Sequence, residues 1–184
     1  MKAISERRSM GLSRISEREV PRKVVEQMVE AANWGQSNDD TEPWRFKVFM
    51  GDSRNRLAEM YAKAYRADLE PGDAADSVAE QGYRDRAFLA PVWIAIGVEP
   101  SRDAEPHEEL MAVATAVQNL GLVASAHGLA GMWHSKGVSI HPAVAEELGW
   151  IPPMRLLGFF FCGYANSDWP QGERKPLAEK VTWE

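Results

Sequence analysis

The feature that most restricts this chain is the run Leu156-Leu157-Gly158-Phe159-Phe160-Phe161-Cys162-Gly163, which contains no polar side chain. A half-exposed strand alternates apolar and polar residues, whereas a run apolar at every position must be covered on both faces. The stretch from Pro91 through Val92-Trp93-Ile94-Ala95-Ile96-Gly97-Val98 has the same character. Two such strands require packing partners above and below, a role that amphipathic helices fill.

These are present between the strands. After Pro21, residues Val24, Val25, Met28, Val29 and Ala32 recur at helical spacing, and Gly35 ends the pattern. Leu57, Met60, Tyr61, Ala64 and Tyr65 mark a second helix. A long helix is expected from Pro106 to Ala126, its stripe of Leu110, Val113, Ala114, Val117, Leu120, Gly121 and Ala124 rich in small residues. Small residues let another helix approach closely, which makes this the candidate central and dimer-forming helix. Pro142 to Leu148 reads as a short helix.

Trp44 to Met50 alternates and reads as a strand with one more polar face. Gly128 and Gly131 read as bracketing a turn into a short strand, Met132 to Ser135. Residues 66–82, polar, acidic and broken by Pro71-Gly72, read as a long excursion of the kind that often forms a lid. No linker or repeat interrupts the pattern. One α/β layered domain over residues 1–184 is expected.

The net charge of −6 argues against broad affinity for nucleic acid or acidic membranes, while leaving room for a local basic pocket. Strongly apolar stretches of about 8 to 10 residues fall short of the ~20 that span a bilayer. Lys2, Glu6, Arg7 and Arg8 bring charge ahead of any apolar run, so no signal peptide is expected. The single cysteine, Cys162, allows no internal disulfide and suits a reducing, cytoplasmic location.

Four clusters carry candidate chemistry. Arg7-Arg8-Ser9 sets two guanidiniums beside a hydroxyl, a donor set suited to phosphate, though it also reads as the solvated basic end of a short helix. Gln36-Ser37-Asn38 with Thr41-Glu42-Pro43-Trp44 reads either as a polar turn or as a ligand-contacting loop. Gly131-Met132-Trp133-His134-Ser135 offers glycine for close backbone approach, and its His134 is a hydrogen-bonding group more readily than a general acid. Arg174-Lys175 is a second phosphate contact or a solvated pair. No GxSxG elbow, HExxH, phosphate-binding loop or metal-spaced ligand set occurs. The chain thus offers no reactive group of its own, which leaves chemistry to a bound cofactor.

Taken in order, these clusters resemble the nitroreductase family of flavoproteins. Arg7-Arg8-Ser9 is similar to the family's N-terminal RRS signature. Ala31-Ala32-Asn33-Trp34-Gly35-Gln36-Ser37-Asn38 followed by Thr41-Glu42-Pro43-Trp44-Arg45-Phe46 resembles its helix, loop and QPWRF strand, and Gly131 through Ser135 its GxxWxSG segment. Arg174-Lys175-Pro176-Leu177 with Val181-Thr182-Trp183 resembles its C-terminal ending, and the length resembles the short branch of the family.

The resemblance implies an α+β sandwich, a central, mostly antiparallel sheet flanked by helices, and an interlocked homodimer with FMN at the interface. It implies Arg7, Arg8, Ser9 and Arg174 as phosphate and ribityl contacts, and Trp34 and Asn38 as contacts at the flavin edge. Trp133, His134 and Ser135 are implied on the flavin's other side or toward the partner chain. No catalytic side chain and no metal are implied. NADH or NADPH delivers hydride at flavin N5, and a small acceptor such as a nitroaromatic or quinone then takes it, in ping-pong order. Specialised flavin chemistry of a dehalogenase-like or flavin-handling kind, or a non-enzymatic flavin-binding dimer, are the alternatives. Two positions depart from the family: Gly11 and Leu12 stand where a further arginine is common, Arg14 being the next, and Asn38 stands where the short branch often has histidine.

Overall fold

A computed structural model describes residues 2–184 of the chain. Ten principal elements follow in order: α1 (Lys2–Glu6), α2 (Arg22–Asn33), β1 (Trp44–Met50), α3 (Ser53–Ala67), α4 (Ser77–Asp85), β2 (Val92–Val98), α5 (Pro106–Ala126), β3 (Leu129–His134), α6 (Pro142–Glu147) and β4 (Arg155–Tyr164). The strands form one sheet in the order β1-β2-β4-β3, and every pairing is antiparallel. The two continuously apolar runs therefore occupy the two central places.

Period two then divides the core. Val92, Ile94, Ile96 and Val98 of β2, with Phe160 and Cys162 of β4, pack against α2 and α5. The intervening Trp93 and Ala95, with Phe159 and Phe161, pack against α3 and α6 on the other face. Tyr61, Trp93 and Phe159 meet edge to face there, at centroid distances of 5.8–6.2 Å.

Near its start β4 is bulged, the register shifting where Ile96 and Gly97 of β2 face Gly158 and Leu156. Gly158 has φ +120°, and a side chain there would run into the His134 carbonyl. The extra residue, Leu157, offers its carbonyl to the Trp133 indole, Nε1 donating at 3.1 Å. A bulge that re-aims an edge side chain is a common way to shape a site.

Three expectations change. Residues 66–82 are not one structureless excursion: Arg66 and Ala67 close α3, and Ser77 opens α4 with Asp76 accepting from Val78 N at 2.8 Å. Tyr83 of α4 stacks on Tyr65 of α3 at 5.0 Å, and Arg84 pairs with Glu59 and Glu80 at 2.8 and 2.6 Å. Acidic composition suggested a loop throughout; residues 68–76 are irregular as expected, but residues 77–82 belong to α4 because α3 presents complementary partners. Gly131 lies inside β3 rather than in a turn, because a Cβ there would come within 2.5 Å of the Phe161 carbonyl and only glycine lets the strands close. Finally, α5 is long and apolar enough to cross a membrane by length and composition. Here it packs as a core helix, with Ala112, Val113, Ala116, Val117, Leu120, Gly121 and Ala124 buried.

Candidate functional site

Arg7, Arg8 and Ser9 follow the short helix α1 and run alongside the edge strand β3. Ser9 bridges Gly131 in parallel, and Met10 N donates to the Gly131 carbonyl at 3.3 Å. Gly131 is thus needed twice, for β4 on one side and for this N-terminal segment on the other. Across from it, the α5 stripe Ala114, Val117, Gln118 and Gly121 forms a second wall, with Trp133 and Phe160 closing the cleft. The cleft has a volume of about 300 Å³.

The two arginines have different commitments. Arg8 gives Nε to the Pro170 carbonyl at 2.9 Å and Nη1 to the carbonyls of Ser5 and Arg7 at 2.6 and 2.8 Å. Arg7 donates only to the Ser9 hydroxyl, at 3.3 Å, and its Cδ lies against the surface of Gly121. No ion pair among the described residues includes Arg7 or Arg8, and no carboxylate lines the cleft. A guanidinium with a hydroxyl beside it and no acid nearby suits a phosphate-sized anion.

Trp133 joins this cleft, but His134 does not. Successive strand residues point to opposite faces. Register pairs Trp133 with Phe160 on the α5 face and His134 with Phe159 on the α3 face. His134 Nδ1 shares a hydrogen bond with the buried Ser139 hydroxyl at 2.9 Å. Burial, with the charges of Arg86 and Lys136 adding to it, lowers the His134 pKa below the ordinary histidine value. Ser135 is exposed at the end of the strand.

Trp34 and Asn38 lie elsewhere again. The loop after α2 runs over the first half of α5, where Thr115 Oγ1 donates to the Gln36 carbonyl at 3.1 Å and Asn38 Nδ2 donates to Glu108 at 3.0 Å. Trp34 is 78% exposed, its indole donating to Glu30 at 3.1 Å. Asp39, Asp40 and Glu42 have φ values of 49°, 52° and 43°. Three non-glycine residues in left-handed conformation store strain, which tends to concentrate at ligand-contacting segments.

Arg174 sits in an exposed tail, bonded only to the Glu173 carbonyl, and that tail also exposes Leu177, Val181 and Trp183. Arg14 does not reach back to the cleft, because its guanidinium is held by the Ser167 hydroxyl and the Asp168 carbonyl at 2.9 and 2.7 Å. Sequence reasoning missed Gln118 and Phe160 as cleft residues. Gln118 falls on the α5 stripe already drawn by Ala114 and Gly121, so extending that stripe to its polar member would have found it.

The chain matches the family model described as "Nitroreductase family" over residues 4–164. It is 26% identical over 156 residues to YdjA of Escherichia coli (strain K12), named as a proposed NAD(P)H nitroreductase, covering 82% of this chain and 81% of that protein. The structure of a nitroreductase-like family protein from Bacillus cereus superposes with a TM-score of 0.82 at 25% identity, covering 100% of this chain and 94% of that one. NfnB from Mycobacterium smegmatis, an FMN-dependent nitroreductase solved with NADPH, gives a TM-score of 0.73 at 23% identity, covering 100% and 96%.

Proposed function

Because the chain belongs to the nitroreductase family, we propose that it binds FMN at a homodimer interface and uses NADH or NADPH to reduce small conjugated acceptors such as nitroaromatics or quinones. The observation that carries this reading is the acid-free cleft under Arg7 and Ser9 with the flat indole of Trp133 in its wall. Its donor set fits a phosphate, and its volume of about 300 Å³ lies at the low end for a ligand pocket. It suits the phosphate and polyol end of FMN.

When bound, FMN supplies the two-electron transfer between a reduced nicotinamide and an acceptor. The chain's own residues bind and orient. Arg7, Arg8 and Ser9 hold the phosphate, with Arg8 braced by three carbonyls so that it positions the segment as well. Trp133, fixed through the Leu157 carbonyl, forms a rigid wall, and Gln118 offers an amide at the rim. The cationic, acid-free lining would favour a doubly charged phosphate over a neutral group.

Several features support a second copy. Met111, Ala114 and Gln118 leave an exposed stripe on α5, the tail exposes Trp183 at 88%, and the edge strand β1 lines a groove in which Val25 and Val29 stand beside the charged Arg22, Glu26 and Glu30. An open strand edge and an apolar tail are liabilities in a monomer. In this reading the Trp34–Asn38 loop and Arg174, neither of which lines its own cleft, serve the flavin of the other subunit. His134 and Ser135 end β3, His134 facing away from its own cleft and Ser135 exposed. We assign a cytoplasmic location on Cys162, whose buried thiol needs no oxidising compartment.

Light scattering, the absorption spectrum and anaerobic addition of NADH and NADPH test the proposal together. A yellow dimer that bleaches with either donor and recovers with a nitroaromatic or quinone is expected. A colourless monomer that rejects added FMN would overturn the reading, and a yellow dimer that no nicotinamide bleaches would mark a flavin carrier instead.

A further inference from the structure

On the opposite face of β3 from the Arg7 cleft, a second cavity of about 550 Å³ opens between α4, the turn that follows it and the loop after β3. Ala79, Tyr83, Leu89 and Val138 form apolar walls, while Arg86, Lys136 and His134 supply the polar groups. No carboxylate lines it.

The arginines of this neighbourhood are otherwise paired. Arg66 binds Glu80, and Arg84 binds both Glu59 and Glu80. Arg86, two residues further on, joins none of the ion pairs among the described residues, and its Nε is buried without a hydrogen-bond partner. Buried polar groups normally find partners, and this guanidinium also lines the cavity with no acid in the lining to balance its charge, which suits an anion that comes from outside. Lys136, which also joins none of those ion pairs among the described residues, adds a second cation. His134, whose Nδ1 is taken by Ser139, is a weaker candidate for charge, because burial and the charges of Arg86 and Lys136 lower its pKa.

We propose that this cavity binds a small aromatic carboxylic acid, its carboxylate on Arg86 and Lys136 and its ring between Tyr83, Leu89 and Val138. A planar carboxylate matches the fork of one guanidinium, and a monoanion with an apolar body matches walls that a phosphate would leave unsatisfied. The site stands independently of the FMN reading.

The test is calorimetric titration of the purified full chain with benzoate and with its neutral isostere benzamide. Benzoate binds about tenfold or more tightly than benzamide, reflecting the charge-assisted bonds. Arg86→Gln abolishes that preference while leaving FMN content unchanged, which separates this cavity from the Arg7 cleft. Should Arg86→Gln fail to fold, Gly82→Leu serves instead: Gly82 lies in the cavity wall on α4, a Cβ there meets nothing within 4 Å, and a leucine narrows the cavity and weakens both ligands. Equal binding of the two ligands, no binding of benzoate at about 10 mM, or an unchanged benzoate preference in folded Arg86→Gln would each overturn the proposal.

Discussion

Replacing Gly131 by alanine tests the join between the strand edge and the N-terminal segment. The added Cβ would lie 2.5 Å from the Phe161 carbonyl oxygen, 2.8 Å from Cys162 Cβ and 2.9 Å from Phe160 Cε1. The first overlap falls about 0.9 Å inside ordinary contact, and its partner belongs to β4, buried at the sheet centre and unable to yield. Overpacking of this kind costs about 1–3 kcal/mol. At roughly 2–4 °C per kcal/mol for a chain of this size, Tm falls by about 2–12 °C. The Gly131 carbonyl also accepts from Met10 N, so moving this residue shifts Ser9 and Arg7 out of register with α5. Flavin affinity is therefore expected to drop in the folded variant as well. Gly11→Ala is the control, because a Cβ at Gly11 meets nothing within 4 Å and should change stability by no more than about 0.5 kcal/mol. Calorimetric scans and FMN titration of both variants decide it. If Gly131→Ala melts within a degree of Gly11→Ala, the close-approach account of this strand edge is wrong.

The two adjacent arginines should separate by readout. Arg7→Gln lowers FMN affinity about 10- to 100-fold, the worth of a charge-assisted bond to phosphate, with little change in Tm. Arg8→Gln also lowers Tm, because the carbonyls of Ser5, Arg7 and Pro170 lose their donor. For His134, the folded pKa lies below the ordinary 6.5. The unfolded chain therefore binds the proton first as pH falls, and stability decreases below about pH 6.5. His134→Gln should flatten part of the Tm profile between pH 7 and pH 5, and an unchanged profile would refute the assignment. Burial pushes the Cys162 thiol up to about 12, so a disulfide reagent at pH 8 should titrate it only after unfolding. Rapid labelling of native protein would show that the α5 face of the sheet opens.

The layered fold was legible because its cause is local. Runs apolar at every position have no solvent face, and helical spacing of Val25, Met28 and Ala32 or of Leu57, Met60 and Tyr61 reports a buried stripe directly. The boundaries of α5 follow from Pro106 at its start and the Gly128 turn just beyond its end, where φ is +73°. By contrast, α4 was hidden, since its side chains are polar and its stability comes from Glu59 and Tyr65 of another helix. The bulge at Gly158 was equally hidden, since an extra residue in one strand is defined only against its partner.

The site divides along the same line. Residue types and their order carried the donor chemistry of Arg7, Arg8 and Ser9 and the resemblance that named a family. They could not say that Trp133 and His134, neighbours in the chain, face different cavities, or that Arg8 is braced by three carbonyls while Arg7 bonds to the Ser9 hydroxyl. They also could not say that Arg86 is the arginine of its group left without an acid. Sequence alone determined which groups are available and which segments must be buried, because hydrophobicity and hydrogen-bonding capacity belong to each residue. Which groups meet was decided only by the tertiary structure, because strand register, a bulge and the competition of neighbouring carboxylates act between segments far apart in the chain.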